Sequence, residues 1–241
     1  PLTVTRRCGK AIVAEAQKIV PDFEAHESNC EGRVSVSYMT PQPTALSMAP
    51  SYTELVQDGD MVLCRVNAPL VSQCFRLIKA GRKANIQGRD VGKGLTQTIA
   101  KLEKKSGLSC YTIGNLISDL DEWLTDESRK ENLKRNPGEG KLIALQDRHD
   151  CLMCFAEGSA TVEETVGKIE SIFTDNKDAP GIRLSSIHKA KGLEAKRVFL
   201  LMPKGGECPH PMAKSTWQRE QEMNLLYVAI TRAIEEFVYV R

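Results

Sequence analysis

A single arginine marks the place where a helical pattern changes to a strand pattern near the end of this chain. Met223, Leu226, Tyr227 and Ile230 recur at helical spacing, and the apolar run Phe237–Val240 that follows is typical of a buried strand. Arg232 lies at this switch. An arginine is always ionised and can bind phosphate through two hydrogen bonds. We expect it to face a crevice; the alternative is a solvated surface arginine.

Two further polar residues follow a short apolar run. Met61–Cys64 has the composition of a buried strand, and Arg65 and Asn67 come directly after it. Open α/β sheets place their ligands at the carboxyl ends of the strands, so both side chains are candidates for binding. Asn67 can also serve as the N-cap of the helix that Pro69 is predicted to open.

The densest group of polar residues lies in the stretch 182–194, before the apolar strand 198–202. A hydroxyl there can donate to phosphate, and a glycine lets the backbone approach a partner closely. The candidates are Ser186, His188, Lys191, Gly192 and Glu194. For His188, a capping or core role is the alternative.

The cysteines do not form a disulfide framework. Eight of them occur without regular spacing, most within apolar runs, where a reduced thiol behaves as a small apolar group. Cys151 and Cys154 form a lone C-x-x-C pair, which Cys208 and His210 could complete as a zinc site. We prefer two buried thiols on one helix face and predict no metal site.

Four blocks of the chain resemble motifs of one protein family, and they occur in that family's order. Leu2–Ile12, Val62–Ala68, Ile182–Glu194 and 222–240 resemble motif IV, the short motif after it, motif V and motif VI of the UvrD/Rep family of superfamily 1 DNA helicases. The resemblance covers about the first ninety and the last sixty residues of the chain.

The resemblance implies roles around a nucleotide. Arg7 and Arg232 would be the arginine pair that reaches the γ-phosphate, where an arginine supplied across a cleft can be worth roughly 10³–10⁵ in rate. Glu194 would bind the ribose hydroxyl beside Gly192. Arg6 stands where the family has a tyrosine that packs on adenine, and a guanidinium can also stack on a flat ring. For Arg7, an exposed arginine beside a helix start is the alternative.

The resemblance also implies contacts to single-stranded DNA. The residues that would make them are Arg65, Asn67, Ser186, His188 and Lys191. Lys191, like Lys189, would add local positive charge, or it would support the loop through Glu194. Trp217 would either stack on a base or act as a buried aromatic anchor.

The length, composition and net charge are typical of a globular protein. It has 241 residues, of which 41% are apolar and 27% are charged, and a net charge of +2. Contact with nucleic acid must therefore be local rather than through a basic coat. The apolar runs are far shorter than the roughly 20 residues that a membrane span needs, and the first residues do not have the pattern of a signal peptide. We therefore expect no signal peptide, no membrane partner and a cytoplasmic location.

The element pattern predicts an α/β fold, which the resemblance makes RecA-like: a parallel sheet flanked by helices and interrupted by a small all-helical insertion. Residues 1–92 would form the first part of the second RecA-like domain, 93–178 a reduced accessory insertion, and 179–241 the second part of the domain. A helical stripe from Ile113 to Leu124, the helical stretch 139–155 and a capping box at Thr161 and Glu164 support the insertion.

A complete ATP site is missing. The pattern G-x-x-x-x-G-K-[ST] does not occur; the glycines at 88–94 and 138–140 fail it in spacing and in the final hydroxyl. We therefore expect a fragment whose N-terminal RecA-like domain is absent. The fragment would need that domain to hold ATP and Mg²⁺, and it would be inactive alone. The whole protein would act on single-stranded or duplex DNA. Two alternatives are a non-catalytic DNA-binding or scaffold module, and a helicase–nuclease subunit.

Overall fold

The computed structural model describes residues 4–43, 48–135, 138–176 and 180–241. The remaining residues include the start of the motif that begins at Leu2 and most of the link from the helical block back to the sheet, so these two parts of the prediction lie outside the described residues. The strands are β1 (Val4–Thr5), β2 (Glu24–Ala25), β3 (Arg33–Ser37), β4 (Gln42–Pro43), β5 (Met48–Ala49), β6 (Met61–Cys64), β7 (Ala84–Gln87), β8 (Phe173–Thr174), β9 (Ile182–Ser186), β10 (Ala195–Leu201) and β11 (Ala233–Val240).

The helices alternate with the strands in the first and last parts of the chain and follow one another in the middle. They are α1 (Lys10–Gln17), α2 (Tyr52–Leu55), α3 (Ala68–Lys79), α4 (Arg89–Ser106), α5 (Ile113–Asn132), α6 (Glu139–Glu157), α7 (Val162–Ile172) and α8 (Thr216–Ile230). Local signals set several of their ends. Pro69 lies in the first turn of α3, Gly107 ends α4 in the left-handed conformation, and the Thr161 hydroxyl accepts the Glu164 N–H at the start of α7.

A seven-stranded sheet forms the centre of the molecule. Its strand order is β3-β11-β10-β6-β9-β7-β8, and every pair in it is parallel. The all-apolar β6 lies in the middle and is buried at every residue, because both faces of the sheet are covered. The prediction of a parallel sheet flanked by helices is confirmed.

The two faces of the sheet have separate cores. One contains buried residues of α1 and α8 with Met61, Leu63 and Phe237. The other contains Val62 and Leu184 together with buried residues of α3 and of all four middle helices. The helical block therefore packs on the sheet through one continuous core. Phe155 of α6 and Phe75 of α3 meet edge to face at 5.3 Å, which fixes α6 against α3.

Several local predictions were incomplete or wrong. The sequence pattern did not predict β7 or the full length of α4, and Phe173–Thr174, inside the predicted insertion, adds the edge strand β8. The alternation of Val34, Val36 and Tyr38 with polar residues predicts a half-buried strand, but in the edge strand β3 Val36 is 50% exposed while Ser37 is buried. Of the stripe expected on α8, Ile230 is buried, whereas Met223, Leu226 and Tyr227 are half-buried. The helix also buries Glu222, Leu225 and Ala229.

Among the described residues, no helix is both long and apolar enough to cross a bilayer.

Candidate functional site

Two guanidinium groups meet around one threonine where α8 ends and β11 begins. Arg7 Nη2 donates to the Thr231 carbonyl at 3.0 Å, and Arg232 Nη2 donates to the Thr231 Oγ1 at 3.1 Å. Arg232 also donates to the carbonyls of Val228 and Leu193. A guanidinium has five N–H groups, so each arginine keeps donors for a further partner. The structure brings Arg7 and Arg232 together, although 224 residues separate Arg7 from Thr231.

The two residues that follow Arg7 are fixed to the end of α8 and the start of β11. The Cys8 thiol donates to the Thr231 carbonyl, and the Gly9 N–H donates to the Ile234 carbonyl at 2.8 Å. Gly9 also passes very close to Gly32: a Cβ at Gly9 would lie 2.7 Å from the Gly32 Cα. Only glycine allows this approach, so the segment that carries Arg7 has little freedom to move.

Glu194 completes this cluster from the loop before β10. Its carboxylate accepts from Arg7 Nη1 at 3.1 Å, and its carbonyl accepts from Arg183 Nη2 at 2.9 Å. Gly192 precedes it with a φ of +83°, a conformation that glycine adopts without strain. A Cβ there would meet no described atom within 4 Å, so the backbone turn itself requires the glycine. Glu194 pairs with Arg7, and among the described residues no ion pair joins it to Lys191.

The charges in this cluster favour an anion. Burial lowers the pKa of Arg232, and the positive charge of Arg7 lowers it further, although a guanidinium stays protonated in proteins. Within the cluster, two guanidinium groups, of Arg7 and Arg232, are balanced by one carboxylate, that of Glu194. A phosphate would relieve the repulsion between these arginines, so the donor set fits the phosphates of a nucleotide.

The other predicted residues lie at the opposite end of the strands. Arg65 and Asn67 follow the carboxyl end of β6, and Ser186 ends β9, paired in register with Cys64. Arg232 and Glu194 instead precede the amino ends of β11 and β10, whose first residues, Ala233 and Ala195, are register partners. The candidate site therefore has two parts, which we call the arginine cluster (Arg7, Glu194, Thr231, Arg232) and the strand-end cluster (Arg65, Asn67, Ser186, His188).

Arg65 is held by a buried glutamate. Its Nε and Nη2 donate to both carboxylate oxygens of Glu222 on α8 at 2.8–3.0 Å, and the side chains are 15% and 8% exposed. Glu222 also accepts the His210 N–H at 3.0 Å. Burial raises the pKa of Glu222, but the bonds from Arg65 and His210 lower it by more, so the net pKa lies below the ordinary value. The pair orients the Arg65 guanidinium through a bidentate bond.

Asn67 does not cap α3 with its own side chain, contrary to the alternative expected from the sequence. Asp147 on α6 takes this role: its carboxylate accepts the backbone N–H groups of Asn67 and Ala68, both at 2.7 Å, and Asn67 Nδ2 at 2.8 Å. Burial raises the pKa of Asp147 above its ordinary value, although these N–H groups lower it. Asn67 Oδ1 is buried and accepts no hydrogen bond from the described residues.

The loop after β9 presents its polar residues to solvent. His188 and Lys191 are exposed, whereas Ser186 is buried, with its carbonyl accepting the Ala190 N–H. Partial shielding of the His188 ring from water lowers its pKa, and the charges of Arg65 and Lys191 lower it further, while Glu222 acts in the opposite direction. Lys189 forms an ion pair with Asp90 at 2.7 Å, which offsets part of the positive charge that the sequence places here.

Two residues were predicted to stack on a base, and the side chains of both are exposed. Arg6 is exposed and makes no side-chain hydrogen bond or ion pair to any described residue. Trp217, in the first turn of α8, is 60% exposed, so the alternative of a buried aromatic anchor is wrong. Its exposed indole can still offer a surface on which a base stacks.

The C-x-x-C pair lies on α6, as expected. Cys151 is buried and Cys154 is half-buried, and burial raises the pKa of the Cys151 thiol well above its ordinary value. Cys208 donates to the Glu222 carbonyl, and the His210 ring lies against the Gly205 carbonyl. Within the ranges that the structure describes, no three His, Cys, Asp or Glu residues form a group suited to a metal ion.

Three residues of the site were missed by the sequence analysis: Glu222, Thr231 and Asp147. Glu222 shares the buried face of α8 with Leu225 and Ala229, and Asp147 lies one turn before the buried Cys151. An acid on an apolar helix face is a signal that it has a buried partner, because an unpaired charge is rarely buried. That pattern was available in the sequence, but it does not identify the partner.

Comparison with known proteins points to one family. The family described as UvrD-like helicase C-terminal domain matches residues 96–239, which is more than half of the chain. YjcD of Bacillus subtilis (strain 168), named as an ATP-dependent DNA helicase, is 33% identical over 113 residues, which make up 43% of this chain and 15% of that protein. The ATP-dependent DNA helicase Rep of Buchnera aphidicola is 26% identical over 160 residues, 61% of this chain and 25% of Rep.

Among solved structures, the C-terminal domain of a possible DNA helicase from Lactobacillus plantarum WCFS1 aligns over 98% of this chain and 86% of that one, with a TM-score of 0.36 and 13% identity. The chain spans only a minor part of the two curated relatives that it matches. Given the family match, this chain belongs to the UvrD-like helicase C-terminal domain family.

Proposed function

We propose that this chain is the C-terminal motor half of an ATP-dependent DNA helicase of the UvrD/Rep type. The observation that carries the proposal is the meeting of Arg7 and Arg232 around Thr231, in a chain of the UvrD-like family. Two arginines held together by backbone carbonyls at one end of a sheet are suited to a phosphate that a second domain presents.

In this proposal the arginine cluster faces ATP across a cleft. ATP and its Mg²⁺ are held by the N-terminal RecA-like domain of the same protein, and Arg7 and Arg232 contact the γ-phosphate from this side. Glu194 accepts a ribose hydroxyl beside Gly192, and Arg6 stacks on the base. The charge balance of the cluster supports the phosphate contact, because the two guanidinium groups of Arg7 and Arg232 have a single carboxylate, that of Glu194, to balance them.

The strand-end cluster holds single-stranded DNA in this proposal. Arg65, Asn67, Ser186, His188 and Lys191 contact the phosphate backbone, while the duplex is the substrate to be separated. Helix α8 connects the two clusters: Glu222 binds Arg65, and the helix ends at Ile230, directly before Thr231 and Arg232. Thr231 follows Glu222 by nine positions, a rise of about 14 Å along the helix. A shift of α8 would therefore displace residues in both clusters.

The proposal predicts that the 241-residue chain alone does not hydrolyse ATP and that fusion to the coding sequence upstream restores DNA-stimulated hydrolysis. The control is the same fusion with the phosphate-loop lysine of the upstream domain replaced by alanine, which should stay inactive. Robust turnover by the isolated chain, or a fusion that hydrolyses ATP without any response to DNA, would contradict the proposal.

A further inference from the structure

The helical insertion reaches the strand-end cluster through one aspartate. Asp147 lies on α6, and its carboxylate contacts Asn67 and Ala68 at the start of α3, with three donors within 2.8 Å. Apart from the weak thiol contact of Cys151, these are the hydrogen bonds that it accepts among the described residues. The carboxylate of this half-buried acid is therefore directed at two neighbouring backbone N–H groups and one side chain.

The position of Asp147 is fixed by the packing of α6. Asp147, Cys151 and Phe155 recur every four residues, so they share one face of the helix. Cys151 is 1% exposed, and the Phe155 ring is fully buried and packs edge to face on Phe75 of α3. The insertion cannot shift along α3 without breaking this contact, so the carboxylate is presented to Asn67 in one place.

The negative charge of Asp147 selects one orientation of the Asn67 amide. Nδ2 faces the carboxylate at 2.8 Å, while Oδ1 is buried and accepts no hydrogen bond within the described part of the chain. Turning the amide over would place Oδ1 against a carboxylate oxygen, so two acceptors would meet. The amide keeps its second Nδ2 hydrogen as a donor in a defined direction.

We infer that Asp147 is a positioning residue, through which the helical insertion sets the Asn67 side chain for contact with a phosphate of single-stranded DNA. The inference rests on the proposed function, because it assigns Asn67 a contact to the strand. It gives the insertion a role in the affinity of the strand-end cluster without requiring the insertion itself to touch DNA.

The test measures the affinity of the 241-residue chain for fluorescein-labelled oligo(dT) by anisotropy, at about 50 mM salt, where phosphate contacts are strong. Asn67→Ala should weaken binding by at least about tenfold, the effect of one hydrogen bond to a charged group. Asp147→Asn keeps an oxygen for the backbone N–H groups but turns an amide toward Asn67 Nδ2, and it should weaken binding to a similar extent. The double variant should lose no more than Asn67→Ala alone.

A second readout follows Asn67 without DNA. The side-chain amide protons of Asn67, followed by ¹⁵N NMR, should exchange slowly with water in the wild-type chain and quickly in Asp147→Asn. The matched control is Glu131→Gln, a buried acid of the same insertion that binds Lys134 and the Gly138 N–H and touches no residue of the strand-end cluster. It should leave both the exchange and the affinity unchanged, even where it lowers the melting temperature.

The outcomes separate this inference from the proposed function. If Asp147→Asn binds with wild-type affinity while Asn67→Ala binds more weakly, the positioning role of Asp147 is overturned and the DNA contact of Asn67 is not. Loss of affinity in Glu131→Gln equal to that in Asp147→Asn also overturns it, since the effect would then be general destabilisation. The proposed contact with single-stranded DNA, and this inference with it, is overturned by either of two results. One is a wild-type chain that does not bind oligo(dT), and the other is unchanged affinity in both Asn67→Ala and Arg65→Ala.

Discussion

Arg7 and Glu194 form an ion pair of 3.1 Å, with side chains that are 38% and 52% exposed. Exposed pairs contribute about 1 kcal/mol or less, because water and salt screen them. Glu194→Gln should therefore change the free energy of unfolding by less than about 1 kcal/mol. In the fusion with the upstream domain it should weaken ATP binding measurably, if Glu194 accepts the ribose hydroxyl. Urea unfolding and nucleotide titration check the two parts, and a large loss of stability would show that the pair is structural.

The buried pair of Arg65 and Glu222 should behave differently. Glu222→Ala leaves a buried guanidinium without its partner, and the free energy of unfolding should fall by about 3–5 kcal/mol. The double variant Arg65→Ala/Glu222→Ala should be more stable than Glu222→Ala, because no charge is left unpaired. The exposed pair of Lys10 and Glu31 gives a control, in which Glu31→Ala changes stability by less than about 1 kcal/mol. Equal effects of the two glutamate substitutions would contradict the assignment.

The pKa of His188 predicts how DNA binding responds to pH. Burial, Arg65 and Lys191 lower this pKa against the opposite effect of Glu222, so the free ring is neutral near pH 7. A bound phosphate raises the pKa of His188, so the DNA complex holds more protons than the free chain. The affinity for DNA therefore rises as pH falls, by at most about tenfold per pH unit for one proton. His188→Asn should reduce this dependence and His26→Asn should retain it. Oligo(dT) titrations between about pH 5.5 and 7.5 measure both.

Glu131 should make the helical insertion sensitive to acid. Hydrogen bonds from Lys134 and the Gly138 N–H, with Lys141 nearby, bring the pKa of Glu131 down to about 2. A lowered pKa means that the carboxylate stabilises the fold above its unfolded pKa, near 4.3, and that this contribution is lost as pH falls toward about 2. Thermal unfolding from pH 5 to about 2.5 should show a steeper loss in the wild-type chain than in Glu131→Gln. Parallel curves would rule out this role.

Local patterns were enough to predict the central elements. The four apolar residues of β6 and the proline at the start of α3 are strong signals within a few residues, and both elements appear where expected. Helix α4 was not recognised because it contains glycines. Gly92 is there because α4 passes close to Phe173: a Cβ would lie 2.9 Å from the Phe173 Cβ. That reason is a tertiary contact, which no window of sequence shows.

The site was predictable in its residues but not in its partners. The positions of Arg7 and Arg232 followed from the family motifs, whereas their meeting at Thr231 depends on how β11 and the first segment pack together. Similarly, the contact of Asp147 with Asn67 joins residues 80 positions apart. Long-range contacts of this kind depend on the complete fold, so a single sequence does not determine them.

The central claim is that Arg232 stabilises the transition state of ATP hydrolysis. The most direct measurement is the single-turnover rate of ATP hydrolysis in the fusion with the upstream domain, comparing Arg232→Ala with Arg129→Ala, an exposed arginine on α5 that lies outside both clusters. We predict that Arg232→Ala lowers the rate about 10³- to 10⁵-fold, while Arg129→Ala hydrolyses ATP at the wild-type rate. A rate in Arg232→Ala within about tenfold of the wild type would contradict the account.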